Sequence, residues 1–454
     1  VSDDGKQFED HIAAFFHCYG CYVEKNIHFR EGGDEFLEID LMITDYLPNS
    51  APRIFIAEAK SRTWGFHDIF KIRGWMDFID TETHGGFLIV NNSRDRDVDS
   101  INKRIYPILN IRVIEKTKLN NALQEEFKRE SCCNKLDFDF WRYSHSLERK
   151  LLKRLNTLKK STHNSRCYPL LEHYYQRIHD DVFFTDNVID RLLKLYGAFE
   201  LNPHISAKCG NEYLNRNPSA FDDDIVRLPE EIYKKTYYAC EFTPIQISTF
   251  IEHKARLMIL KSAVDYLLYG RYGLLKKIES RKLSVDMEGF KLDFDTWELV
   301  PLSFRKALKK ISDDEYLHRY PIFWQWFLWL FGGFIIESAK DLEFELLSKK
   351  TGIPIDKIPR ALEVYELLFP LKRGGSWFLK VPGYGSGNIS LLKFFSVPFM
   401  GLGTLYRLYS YLSDFDKWDN RVDKELMIRL GLSSHEIIQL KKWAKLTVDI
   451  LRKK

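Results

Sequence analysis

Phe8, Ile12, Phe15 and Phe16 recur at helical spacing and Gly20 stands just beyond them as a stop, so the chain opens on an amphipathic helix. The period then changes to that of strands. Residues 21–29 read as a strand, 31–35 carry turn chemistry, and 36–44 alternate apolar with polar. A Pro- and Asn-containing loop over 48–52 leads to a third strand at 53–60. A helix over 67–79, a short buried strand over 87–90, a helix over 98–106 and a strand over 111–115 complete the order α-β-β-β-α-β-α-β. This pattern predicts an α/β domain over residues 1–118.

Helical periods dominate the rest of the chain. We read 119–134 as a linker, 135–340 as a helical domain and 341–454 as a C-terminal unit. Leu147, Leu151, Leu155 and Leu158 form one stripe, with Arg149, Lys150, Lys153 and Arg154 beside it, which predicts an amphipathic helix with a basic face. Residues 197–224 lack a clean period and read as a long loop. From residue 341 the order is helix, turn, helix over 358–368 and hairpin over 371–381, the order of a winged helix. Its second helix is acidic by one charge from Asp356 to Glu366, so packing against protein suits it as well as reading a DNA groove.

Composition changes this picture in three places. The formal net charge is +4, but residues 1–118 hold 15 Lys and Arg against 20 Asp and Glu. An acidic first domain suits a divalent cation, and the basic remainder suits phosphates. The seven cysteines include none after residue 240, which argues against a disulfide framework and for a reducing, cytoplasmic setting. No secretory leader pattern opens the sequence, and the most apolar run, 322–336, is too short and too interrupted to span a membrane and is expected to be a buried helix.

The chemistry lies in two neighbouring strands. Leu37, Ile39, Leu41 and Ile43 share one face of the second strand, leaving Glu38 and Asp40 on the other. In the third, Ile54, Ile56, Glu58 and Lys60 share a face, so a strand that begins apolar ends on a carboxylate and an amine. Buried charges of this kind require partners or a metal. Carboxylate oxygens favour Mg²⁺, with Mn²⁺ able to substitute, and Asp40 and Glu58 supply the one or two protein carboxylates such an ion takes.

Glu38-Ile39-Asp40 and Glu58-Ala59-Lys60, separated by one strand-loop-strand connection, resemble the motif of the PD-(D/E)xK nuclease superfamily, most closely its Mrr-like restriction endonuclease branch. Ile39 stands where the motif's name places Pro. The resemblance covers about the first quarter of the chain. It implies a restriction-endonuclease-like domain, a central mixed sheet flanked by helices, followed here by the mostly α region. It further implies metal binding by Asp40, Glu58 and the backbone carbonyl of Ala59, a lysine, Lys60, that serves the attacking water, and a helix carboxylate, Glu9, that joins the metal shell.

The activity expected from the resemblance is Mg²⁺-dependent endonucleolytic hydrolysis of DNA in restriction or antiviral defence. RNA cleavage by the same metal chemistry and a non-catalytic subunit that binds nucleic acid and a partner protein are the alternatives. Lys71 and Arg73 on the helix after the motif, and Arg149, Lys150, Lys153 and Arg154 on the basic helix, are the candidate phosphate contacts. His67 and Asp68 suit either substrate contact or capping of that helix. Partner protein is expected to meet the helical region, a homodimer would present two centres to two strands, and no membrane is involved. Cys18 and Cys21 have zinc spacing but lack a second pair, and are expected to straddle a helix end and a core strand. Residues 383–388 lack the Lys-Ser/Thr of a phosphate loop and read as a flexible loop.

Overall fold

The computed structural model describes residues 3–31, 34–79, 83–93, 96–161, 167–180, 191, 192, 195, 244–272, 282–287, 290–295, 302–331, 335 and 340–368, with 424, 434 and 438. The chain divides into two compact units, each assembled from separate stretches: Val1–Arg142, Gln176–Ala198 and Met258–Ile322 form the first, and Tyr143–Tyr175, Phe199–Leu257 and Phe323–Lys454 the second.

The first unit is built on a mixed five-stranded sheet in the order β1 (Tyr22–Glu31), β2 (Asp34–Asp45), β3 (Arg53–Lys60), β4 (Thr83–Val90) and β5 (Ile111–Glu115). The first three strands run antiparallel, β3 with β4 and β4 with β5 parallel. Parallel neighbours require crossovers, and α2 (Phe66–Phe78) and α3 (Val98–Leu109) provide them. One sheet face meets α1 (Asp3–Cys18): Phe8, Ile12, Ala13 and Phe16 pack with Leu41, Ile43, Phe55, Ala57, Phe87 and Ile89. Gly20, at φ +65°, ends α1 in the left-handed region where a side chain would strain the backbone.

Four sequence readings need correction. Strand β4 starts at Thr83, ahead of the expected residue 87, because Gly85 and Gly86 belong to the strand. A Cβ on Gly86 would lie 2.6 Å from Ile72 Cγ2, so the glycine admits α2 against the sheet. Helix α3 continues past 106 to Leu109, with Pro107 inside it. The expected linker contains a further helix, α4 (Leu119–Phe127), whose Leu119, Leu123 and Phe127 complete the core beside α1. The region read as helical also holds a hairpin, β6 (Lys282–Met287) against β7 (Phe290–Asp295).

Basic helix α5 (Lys135–Ser161) begins on a reciprocal cap, in which Asn134 N–H donates to Asp137 Oδ2 at 2.7 Å and Asp137 N–H to Asn134 Oδ1 at 2.9 Å. From Tyr143 onward α5 belongs to the second unit, as does α6 (Cys167–His179) up to Tyr175, and there Glu172 of α6 pairs with Lys159 of α5. Helix α7 (Pro244–Arg271) gives its C-terminal part to the first unit, where Tyr46 donates to Asp265 at 2.6 Å. Helix α8 (Leu302–Ile311) precedes α9 (Tyr320–Leu330), the apolar run, which is buried. Among the described residues no helix is long and apolar enough to cross a membrane.

Of the winged-helix expectation, α10 (Lys340–Thr351), the turn at Gly352 (φ +73°) and α11 (Ile358–Leu368) are present. The hairpin over 371–381, the loop over 197–224 and the loop over 383–388 lie outside the described residues. Helix α11 buries Ile358, Ala361, Leu362, Val364, Tyr365 and Leu368 in the second unit and leaves Pro359 and Glu363 exposed. Tyr365 stacks on Trp324 at 4.2 Å and accepts from Arg256 at 2.9 Å.

Candidate active site

The paired register of β2 and β3 stops at Leu41 opposite Ala57, so the next positions, Asp40 and Glu58, lie where the two strands part. The gap is bridged by a side chain: Asp40 Oδ2 accepts from the Ala59 backbone N–H at 3.0 Å. On an extended strand the N–H and carbonyl of one residue point to the same edge. Ala59 therefore turns its carbonyl toward Asp40 as well, while the Lys60 carbonyl, on the opposite edge, accepts from Asn91 N–H at 3.0 Å. The edge of Ala59 that the resemblance assigns to a metal is thus the edge that faces the parted strands.

Asp40 and Glu58 are both buried. Burial raises the Asp40 carboxyl first, and the charges of Glu58 and Glu9 raise it further, against the Ala59 hydrogen bond and Lys71, so that its pKa reaches about 8. Glu9, buried on α1, is itself raised, chiefly by burial, although Lys25 and Lys6 oppose this. Asp40 is thus held close enough to two other carboxylates to be repelled by both. Lys6 Nζ lies 3.2 Å from Glu9 and 3.1 Å from Glu38, whose pKa its charge lowers against the cost of burial.

Glu58 Oε1 is contacted by two amines, Lys60 at 2.6 Å and Lys71 at 3.1 Å. Its other oxygen, Oε2, is buried and has no hydrogen-bond partner. An orphaned buried carboxylate oxygen is costly and calls for a ligand. Burial is the largest single influence on Lys60 and works against its charge, but the hydrogen bond to Glu58 and the charges of Glu58, Asp68 and Asp40 together outweigh it, and the amine's pKa is raised. Lys60 also reaches Asp68 Oδ1 at 3.4 Å.

The structure therefore brings together Asp40, Glu58, Lys60 and Glu9, and adds Lys71 to them. The sequence places Lys71 on a solvated helix face, ready for phosphate. Instead it contacts Glu58 and lies over the Trp75 ring at 4.2 Å, with 42% of its side chain exposed. Arg73 is outside the cluster and pairs with Asp77 at 2.6 Å, as on an ordinary solvated face. Arg149, Lys150 and Arg154 are half-buried, and of the four basic positions on α5 only Lys153 is exposed. These four belong to the second unit.

Lys6 joins the site without having been expected there, and Asp68, which suits either substrate contact or capping, joins it from a capping position. Asp68 accepts from Gly65 N–H at 2.7 Å and so caps α2, and the same carboxylate steadies Lys60. Lys6 stands one helical turn before Glu9. Cys18 and Cys21 are buried and form no disulfide, one at the end of α1 and one just before β1, and burial pushes the Cys21 thiol up to about 12. That is a structural placement. Comparison with protein-family models, with curated proteins and with solved structures found no match.

Among the described residues no group of three or more His, Cys, Asp and Glu side chains is arranged to hold an ion. A Mg²⁺ site of two carboxylates, a backbone carbonyl and water needs no such group. The orphaned Glu58 Oε2, the repelled Asp40 and the Ala59 edge fit that smaller donor set.

Asp40 makes stability depend on pH. Its proton is bound more tightly in the folded chain than at the ordinary carboxyl value of 3.8. The stabilisation this gives is complete below about pH 4 and is lost as the pH rises through about 8. Thermal melting of chelated protein should fall across that window, and Asp40→Asn, which cannot ionise, should remove much of the fall. Parallel melting curves for the two proteins over the whole window would show that Asp40 is not a strained carboxylate.

Proposed function

We propose that the first unit is a metal-dependent nuclease centre of the PD-(D/E)xK kind and that the chain hydrolyses phosphodiester bonds in DNA. The observation that carries this reading is the buried Glu58, with one oxygen held by Lys60 and Lys71 and the other unpartnered, opposite an Asp40 that it repels. A structural ion pair would use its charges up. Here the cluster retains a negative surplus that a divalent cation would offset.

Asp40, Glu58 and the Ala59 carbonyl would hold Mg²⁺. When bound, such an ion neutralises charge on the phosphodiester and lowers the pKa of water. The chain's own residues supply the rest. Lys60, kept protonated by Glu58 and Asp68, can donate from Nζ to an attacking water or to a non-bridging phosphate oxygen. Lys71, tethered to Glu58 yet partly exposed, is placed to attract the backbone from the solvent side. Glu9 adds negative charge that favours the ion and keeps Asp40 from ionising without it. A role in restriction or antiviral defence, with the second unit positioning substrate or a protein partner, is the setting we propose for this activity.

The reading is tested by incubating the full chain with supercoiled plasmid and with single-stranded DNA in Mg²⁺, in Mn²⁺ and in EDTA. Nicking or degradation in either metal and none in EDTA is the expected result. Intact DNA in all three conditions, from protein shown to be folded, would favour a binding subunit without catalysis.

A further inference from the structure

The outward side of α2 is unusual. Its inward residues, Asp68, Ile69, Ile72, Trp75 and Met76, are buried, while Phe66, Phe70 and Phe78 stand 55%, 61% and 56% exposed. The three phenylalanines fall on one helical row at spacings of four and eight. The vacant position of the row is Gly74, where an added Cβ would meet nothing within 4 Å. Polar groups stand beside the rings: the ammonium of Lys71 comes directly after Phe70, and the His67 imidazole is 81% exposed at the helix start. Lys71 Nζ is 3.1 Å from Glu58, so the aromatic row runs alongside the carboxylate cluster. At its far end Phe78 meets Phe29 at 5.2 Å, and Phe29 meets Phe36, itself 64% exposed, at 6.4 Å.

Exposed rings in such number mark a binding surface. Backbone positions four residues apart rise about 6 Å along the helix axis, close to twice the 3.4 Å stacking repeat of nucleic acid. An exposed ring offers a base a face to lie against, and Gly74 leaves the position between Phe70 and Phe78 open. Base faces are available only when a strand is unpaired, and rings interleaved with cations are how such strands are held. A protein partner would find apolar rings broken up by charge; a DNA strand finds a ring for its bases and an amine for its backbone.

We propose that the outward row of α2 is a stacking platform for single-stranded DNA, with bases on Phe66 and Phe70 and backbone passing Lys71 toward Asp40 and Glu58. Unpaired DNA is then the preferred substrate class. This rests on the nuclease reading of the centre, but it concerns binding and is measured without turnover.

The test uses the full chain in EDTA and fluorescence anisotropy of labelled oligodeoxythymidylate of about 15 nucleotides, a length in the range of single-strand sites. A duplex and an oligouridylate of equal length are the comparison probes. Phe66→Ser and Phe70→Ser should each weaken single-strand binding by roughly 5- to 150-fold, the loss of one stacked base, with duplex binding unchanged. Phe70→Trp, which keeps a stacking face, should retain affinity. Equal affinity for duplex and single strand, with both serine variants binding as wild type, would overturn the platform. Tighter binding of oligouridylate would overturn the assignment to DNA, and a serine-induced change in oligomeric state by light scattering without a change in DNA binding would assign the row to a second copy of the chain. The two readings fail separately. Ring-dependent binding with no cleavage in Mg²⁺ would sink the nuclease and keep the platform, whereas Mg²⁺-dependent cleavage of single strands at wild-type rate and affinity by the serine variants would do the reverse.

Discussion

Asp40→Asn, Glu58→Gln and Lys60→Met should each reduce DNA cleavage by about 10² to 10⁴-fold while the chain stays folded, the loss typical of a positioned catalytic group. The three should part company in stability. Asp40→Asn removes a carboxyl held near 8 by burial and by two neighbouring carboxylates, so the metal-free variant should melt higher than wild type above that pH. Lys60→Met leaves Glu58 with Lys71 still at 3.1 Å, which protects the fold against a wholly unpaired buried charge. Cleavage is read from a labelled oligonucleotide and stability from thermal melting of the same preparations. Wild-type cleavage in any two variants would remove these residues from the chemistry, and an equal loss of stability in all three would make them structural ion pairs.

Phe127→Ala should cost about 3 to 5 kcal/mol, the range for deleting a buried aromatic ring. Phe127 is 3% exposed and meets Phe16 at 6.2 Å and Phe55 edge-on at 5.8 Å, so its removal opens the core between α1, β3 and α4. Glu125→Ala, two residues earlier on the exposed side of α4, should stay within about 0.5 kcal/mol of wild type. Denaturant unfolding of the full chain compares the two. If Phe127→Ala is as mild as Glu125→Ala, residues 119–127 are a connector after all and the domain ends where the sheet does.

What is legible in the sequence is clearest at β2 and β3. Alternation there sets which side chains share a face, and Glu58 and Lys60 do lie together, their charged groups 2.6 Å apart. Strand β3 spans Arg53–Lys60 as the alternation predicts, because its ends are marked by a proline loop and a charged tip. The α4 helix escapes a reading by periodicity although Leu119, Leu123 and Phe127 keep a spacing of four, since a nine-residue helix is short and polar between those positions. Glycines mislead in the other direction. Gly85-Gly86 carries the mark of a turn, yet Gly86 lies in β4 because only a residue without a side chain lets Ile72 approach.

The site shows the same division. Local periodicity finds Asp40, Glu58 and Lys60, and the resemblance adds Glu9, but neither can find that Lys71 reaches Glu58, because the rotation of α2 about the sheet is a tertiary fact. The contact of Lys60 with Asp68 is hidden for a similar reason: Asp68 looks like a cap from the sequence, and it is one, but the same carboxylate also faces the lysine. Conversely, the four basic positions of α5 suggest one exposed cationic face, and three of them are half-buried beside a leucine stripe whose Leu147, Leu151 and Leu155 are buried.

The most direct measurement is calorimetric titration of Mn²⁺ or Mg²⁺ into the chelator-free full chain at pH 7, repeated in buffers of different ionisation enthalpy to count protons. Because Asp40 holds a proton up to about pH 8 and must give it up to ligate, the account predicts a binding event that releases close to one proton and disappears in Asp40→Asn. Binding in Glu58→Gln should be lost or much weakened as well. An ion that binds wild type and both variants alike, with no proton released, would contradict the assignment of Asp40 and Glu58 as a metal centre.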